Sequence, residues 1–197
     1  PLQAAQSLDP ESLLQYGLTE NNFGILSQKR ADLQAAKIAF QIARSVFQDL
    51  LHEEQHAQAL RGLGVANQNL GKLLVDDNQN LEQAKELLSE ALDLQLGLAE
   101  TAENRLRASI DLLATYVSLG NVFLQQGKTE PATKAFREAT KIGQILVEVS
   151  PEVSTYRRDL AIALCNLGMS SYRTGDSVGA EEHLRNSVRE YQTLLKE

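Results

Sequence analysis

The chain has 197 residues, 43% of them hydrophobic, which is too much apolar surface for a disordered polypeptide. Its 26 acidic residues outnumber 19 basic ones for a formal net charge of −7, and no run of Lys and Arg alternates with aromatics. Nucleic acid is therefore excluded as a partner class in favour of basic or neutral polypeptides. No apolar stretch reaches membrane-spanning length, no signal peptide is read, and the lone Cys165 cannot close an internal disulfide, so a cytoplasmic protein is expected, with no membrane partner.

Residues 1–9 read as a tail, and a chain opening at Pro1 without an initiator Met is expected to be part of a longer protein. Asp9-Pro10 reads as a helix cap with proline at the first helical position. Phe23-Gly24 is the first of four pairs of a bulky apolar residue and glycine; the others are Leu70-Gly71, Leu119-Gly120 and Leu167-Gly168. Behind the first pair come Ala36, Phe40, Ala43 and Leu50, whose steps of four, three and seven place them on one helix face. The set returns every 48 residues, as Ala84, Leu88, Ala91 and Leu98, then Ala132, Phe136, Ala139 and Leu146, then Ala180, Leu184, Ser187 and Leu194.

The second repeat inserts one residue near Asn78 and Asn80, and Asn80 with Gln83 reads as a capping box. In the third, Gly127 falls seven residues after Gly120, Thr129 reads as a cap before Pro131, and Ser150-Pro151 as the cap and first residue of the next helix. In the fourth, Gly175 stands where Gly127 did, and the last helix is expected from about Asp176 to Lys196. Nothing alternates with period two, so no strands are predicted. The fold class is all-α: four helix-turn-helix repeats, over 10–54, 55–102, 103–150 and 151–197, forming one solenoid domain over 10–197.

The bulky-Gly pair followed by Ala-x-x-x-Phe, as at Ala36-Phe40 and Ala132-Phe136, resembles the tetratricopeptide (TPR) repeat. That family's unit takes about 34 residues. The extra length here amounts to about four helical turns per repeat, so each helix is expected near about 20 residues. The family's tryptophan is replaced by Glu20, Asn67, Tyr116 and Leu164. The resemblance implies a right-handed α-solenoid that binds a protein or peptide on a concave face lined by the first helix of each repeat.

Two residues before each leading glycine stand Asn22, Asn69, Ser118 and Asn166. In the family this position faces the groove, and an asparagine amide, donor and acceptor together, matches a peptide unit whatever its side chain. One residue after the glycines stand Ile25, Lys72, Asn121 and Met169, of which Lys72 and Asn121 extend the groove chemistry. The family's clamp on a terminal carboxylate is not expected, since Asn21 and Ile25 occupy its first lysine and asparagine positions. Tyr156-Arg157-Arg158-Asp159-Leu160-Ala161, running on to Asn166-Leu167-Gly168, resembles the long repeats attached to bacterial serine/threonine protein kinases. That likeness implies a signalling-associated scaffold, whereas polar helix surface with local pairs is the plainer reading of Arg157, Arg158 and Asp159.

One string argues for chemistry. His52-Glu53-Glu54-Gln55-His56 matches H-E-x-x-H, in which two histidines on one helix face hold zinc beside a general-base glutamate, as in a metallopeptidase. The repeat register instead puts His52 at the end of a second helix and His56 beyond an interhelical turn, where a shared face is lost. His183 and Cys165 read as packing residues, and no phosphate loop or nucleophile elbow is present. The sequence thus predicts no enzyme, metal or cofactor. Its second functional reading is self-association, as a homodimer, through whatever apolar edge is left on the last helix, which carries Ala180, Leu184, Val188, Tyr191 and Leu195.

Overall fold

The computed structural model describes residues 9–53, 57–76, 80–101 and 103–196. Among them are eight helices and no strand: α1 (Pro10–Lys29), α2 (Leu33–Glu53), α3 (Ala57–Asp76), α4 (Leu81–Ala99), α5 (Arg105–Gln125), α6 (Thr129–Val149), α7 (Ser154–Arg173) and α8 (Ser177–Leu194). Each has 18 to 21 residues, the length read from the 48-residue period. The chain divides into two compact units, residues 1–98 with α1 to α4 and residues 99–197 with α5 to α8.

Each unit is two helix pairs held by one device. The leading glycine of a first helix receives the residue four after the repeated alanine of the second. A Cβ at Gly24 would lie 2.5 Å from the Phe40 ring, and one at Gly71 2.8 Å from Leu88 Cγ. In residues 99–197 the pairs are Gly120 with Phe136, tighter still, and Gly168 with Leu184 at 2.8 Å. The backbones also close up, since the Ala84 and Ala180 carbonyl oxygens would meet the missing Cβ of Gly71 and Gly168 at 3.2 and 3.1 Å. Ala36, Phe40, Ala43, Ala84, Leu88, Ala91, Ala132, Phe136 and Ala139 are completely buried, as the columns require.

Within residues 1–98, α3 packs on the α1–α2 pair through Ala59 and Ala66 against Ala43, Val46, Phe47 and Leu50. Within 99–197, α7 packs on the α5–α6 pair through Ala163 against Leu113, Ala139 and Leu146, and through Leu167 against Ala132 and Phe136. Ser187 replaces the small alanine of α8, and its hydroxyl donates to the Ala161 carbonyl of α7 at 2.7 Å.

The helix ends follow the sequence in part. Asp9 caps α1, accepting from the Ser12 amide at 3.0 Å with Pro10 as first helical residue. Asn80 accepts from the Gln83 amide at 3.2 Å, but Gln83 returns its oxygen to the Asn80 side-chain amide at 3.4 Å, so the capping box closes between side chains. Asn78 lies outside the described residues. Two expected caps are corrected. Thr129 is the first residue of α6 and Lys128 its cap, without a side-chain bond, because Gly127 completes its turn one residue earlier than a cap at Thr129 requires. Ser150 ends α6 and Pro151 sits in a turn, so α7 starts only at Ser154, after Val153.

Three turns inside helix pairs share a left-handed residue seven after the leading glycine: Ala31 with φ 60°, Gly127 with φ 73° and Gly175 with φ 87°. Glycine suits two of them, but Ala31 carries a Cβ where left-handed backbone costs an L-residue about 1–2 kcal/mol. Ala31→Gly is therefore expected to raise stability by about 0.5–1 kcal/mol after the glycine entropy penalty, read as a higher urea midpoint.

The glycine column gives a paired expectation. Gly120→Ala drives a methyl into a fully buried Phe136, and overpacking of about 1–3 kcal/mol outweighs the helix-propensity gain. Gly97→Ala in α4 meets nothing within 4 Å and is expected to stabilise by about 0.5–1 kcal/mol. Equal effects at the two sites in thermal melts would show that the column does not set the packing.

Candidate functional site

With the second helices spent on packing, the first helices carry the candidate face. In residues 1–98 this comprises α1 and α3, joined by polar contacts between side chains 48 residues apart. The Asn69 amide donates to Asn21 Oδ1 at 3.0 Å, and Gln28 to Asp76 Oδ2 at 3.4 Å. Asn22 and Lys72 are exposed, and Asn69 is half-buried. One amide hydrogen of Asn69 is thus already committed within the protein, to a residue beside the expected Asn22.

A second cluster ties α2, α3 and α4. Arg44 Nε donates to Asn67 Oδ1 at 2.7 Å, Asn67 Nδ2 to Glu90 Oε2 at 3.1 Å, and Arg44 Nη2 reaches the same carboxylate oxygen at 3.1 Å. Asn67 is 1% exposed, so both faces of its amide are satisfied by fixed partners, as burial of an amide requires. Asn67 occupies the position of the family's tryptophan, and a polar residue there signalled a polar contact with neighbouring helices that sequence reading did not draw.

In residues 99–197, α5 and α7 supply the face. Asn121 and Asn166 are half-buried and Met169 is exposed. Ser118 departs from the expected ladder: it is 5% exposed, and its hydroxyl donates to the Ala114 carbonyl one turn back at 2.9 Å. A short hydroxyl on a helix reaches its own backbone before it reaches a ligand. Arg157 is no local surface charge either. It donates to Glu190 of α8 at 2.8 Å and to the Pro151 carbonyl at 3.3 Å, while Arg158 pairs with the adjacent Asp159.

The H-E-x-x-H string does not form a described site. His52 is exposed in the last turn of α2, which ends at Glu53, and His56 lies outside the described residues, as do Glu54 and Gln55. Among the described residues no group of three His, Cys, Asp or Glu side chains is placed to hold a metal ion. Among the described residues no helix is long and apolar enough to cross a membrane.

Charge is divided unevenly. Residues 1–98 hold 7 Lys and Arg against 13 Asp and Glu, a formal −6, whereas residues 99–197 hold 12 against 13, a formal −1. An acidic first unit favours cationic over anionic segments through its field.

Residues 113–142 match the tetratricopeptide repeat family. The match spans the second half of α5, the Gly127 turn and the first two-thirds of α6, with the Gly120–Phe136 contact inside it. The fold is similar to the crystal structure of BtubC (BKLC) from P. vanneervenii, with a TM-score of 0.73 and 20% identity over 96% of this chain and 68% of that one. Two MamA crystal structures overlap less, with TM-scores of 0.45 and 0.47 at 13% and 14% identity, covering 92% and 88% of this chain and 95% and 97% of theirs. No curated protein matches the sequence significantly. Neighbouring helix pairs thus pack as in a tetratricopeptide-type solenoid.

In the same stretch, burial first and the Glu138 carboxylate second hold the Tyr116 phenol above the ordinary tyrosine value of 10.0. Below that value folded and unfolded chains both keep the proton. Above it the unfolded chain loses the proton first, so this contribution to stability is lost as pH rises. Tyr116→Phe is expected to flatten the fall in unfolding free energy between about pH 9 and about pH 11, measured by urea titration.

Proposed function

We propose that this protein is a non-catalytic binding module whose first-helix face holds an extended or helical polypeptide segment of neutral or basic character. The observation that carries the reading is the division of labour between helices: the second helices bury their small and bulky columns, while α1, α3, α5 and α7 keep amides at the surface. Asn22, Asn69 and Lys72 on the first unit and Asn121 and Asn166 on the second are the proposed contacts. Ser118, bonded into its own helix, takes no part. The continuous 48-residue step supports treating residues 10–197 as one array of four repeats.

The Tyr156-to-Ala161 string supports a place in a larger, kinase-linked signalling protein. Arg157, however, is accounted for by its contacts to Glu190 and Pro151, which weakens that string as a marker of function.

A library of random displayed peptides panned on the protein supplies the probe, and fluorescence anisotropy of the selected peptides measures affinity. Asn69→Ala combined with Asn166→Ala removes two amide contacts at about 1 kcal/mol each, so affinity is expected to fall by about 10- to 100-fold. Unchanged affinity for peptides of several unrelated sequences would remove the asparagines from the site. Selection of acidic rather than basic peptides would reverse the charge preference.

A further inference from the structure

We propose that copies of this chain associate head to tail, the outer face of α1 in one copy entering the groove between α7 and α8 of the next. The inference does not need the asparagines of the peptide-binding reading, because it rests on Phe23 and Leu26 of α1 and on the cleft between α7 and α8.

The ridge on α1 stands out against its own equivalents. Phe23 and Leu26 are 52% and 51% exposed. The residues in their place on α3, Leu70 and Leu73, are 4% and 2% exposed, and those on α7, Leu167 and Ser170, are 2% and 0%. On α7 the covering surface is known: Leu167 lies on Ala132 and Phe136 of the preceding repeat, with Val117, Phe123 and Leu124 around it. Phe23 is the same plug without a socket among the described residues of its own chain.

The matching socket lies on α7 and α8. A cleft of about 760 Å³ runs between α7 and α8, lined by Met169, Tyr172, Ala180, Leu184 and Val188. Ala180 and Leu184 stand 48 residues beyond Ala132 and Phe136, so the cleft is the next copy of the groove that α7 fills. Met169, Tyr172 and Val188 are 46%, 66% and 53% exposed, an apolar lining left to water.

Size and charge select α1 as the occupant. The filled groove pairs the smaller Leu167 with the larger Phe136, whereas the proposed joint pairs the larger Phe23 with the smaller Leu184. Combined side-chain volume is conserved, the swap that packing tolerates best. Leu26, one turn on, would fall toward the Ser177 end of the cleft. Glu20, in the place of Asn67, would face the Val188 position. There Arg185, paired with Glu181 on its own helix, and Arg189, bonded to Asn186, line the cleft and give its Val188 side a basic character. Such a contact joins unlike surfaces, so repetition yields rings where the rotation between copies closes and open chains where it does not.

The test is sedimentation of the intact chain over about a hundredfold range of concentration, where mass action favours the assembled form. The wild type is expected to grow in mass with concentration, past the dimer. Phe23→Glu and Val188→Glu each alter an exposed residue and leave the core untouched, which equal far-UV circular dichroism would verify. Each alone is expected to stay monomeric, while an equal mixture forms a dimer and stops there, because Val188→Glu keeps the plug and Phe23→Glu keeps the socket. A wild type that remains monomeric overturns the proposal and leaves both faces to other partners. So does a mixture that remains monomeric, or a Phe23→Glu variant that still assembles while Val188→Glu does not, which marks a symmetric contact between last helices.

Discussion

The structure depends on one steric constraint, the absence of a side chain at the leading glycine of each repeat. Without a Cβ at Gly24, Gly71, Gly120 and Gly168, a first helix can accept the Phe or Leu of its partner against its backbone, and the repeated alanine lets the partner's carbonyl approach. Helix separation, the burial of the second-helix columns and the polar character of the opposite face all follow from that approach. Within each unit the second repeat packs on the first through these column residues, so stability there accumulates over similar joints.

A second rule, less visible, keeps total volume steady where the repeats diverge. Phe47 of α2 is flanked by two glycines, with a Cβ at Gly17 falling 2.9 Å and one at Gly62 2.6 Å from its ring. At the equivalent place 96 residues on, Gly143 takes the position of Phe47, and Leu113, with Leu160, supplies the bulk on the first helices at 3.2 and 3.1 Å. Gln95 stands between these extremes, 1% exposed, with Gly64 opposite and its amide bonded to Gln68. Interiors packed to crystal density allow such exchanges only in compensating pairs.

These two rules explain what was legible in the sequence. The glycine and alanine columns recur in register, so the helix number and the turns at Gly127 and Gly175 could be read from spacing, and the helix lengths from the 48-residue period set against the tetratricopeptide unit it resembles. The compensating pairs could not, since Phe47, Gln95 and Gly143 share a position and no chemistry. Caps failed where geometry was settled elsewhere: Thr129 lost its role to a turn completed at Gly127, and Ser150 closes one helix instead of opening the next. Ala31 shows the same limit, because a left-handed turn residue that is not glycine leaves no mark.

The candidate site was less legible for a related reason. A polar residue on a packed helix has three fates, and spacing does not distinguish them: its own backbone, as for Ser118; a neighbouring helix, as for Asn69, Asn67 and Arg157; or a ligand. Packing columns repeat because every joint must be the same shape, whereas polar contacts need only be satisfied and are met differently in each repeat. Asn69 belongs to the second group with capacity left for the third, since an amide offers two hydrogens and an acceptor, and its bond to Asn21 uses one. That bond also holds the side chain in a fixed orientation on α3. A ligand on the proposed face would find there a group whose ordering cost has already been met in the free protein, which favours binding more than a freely rotating asparagine does.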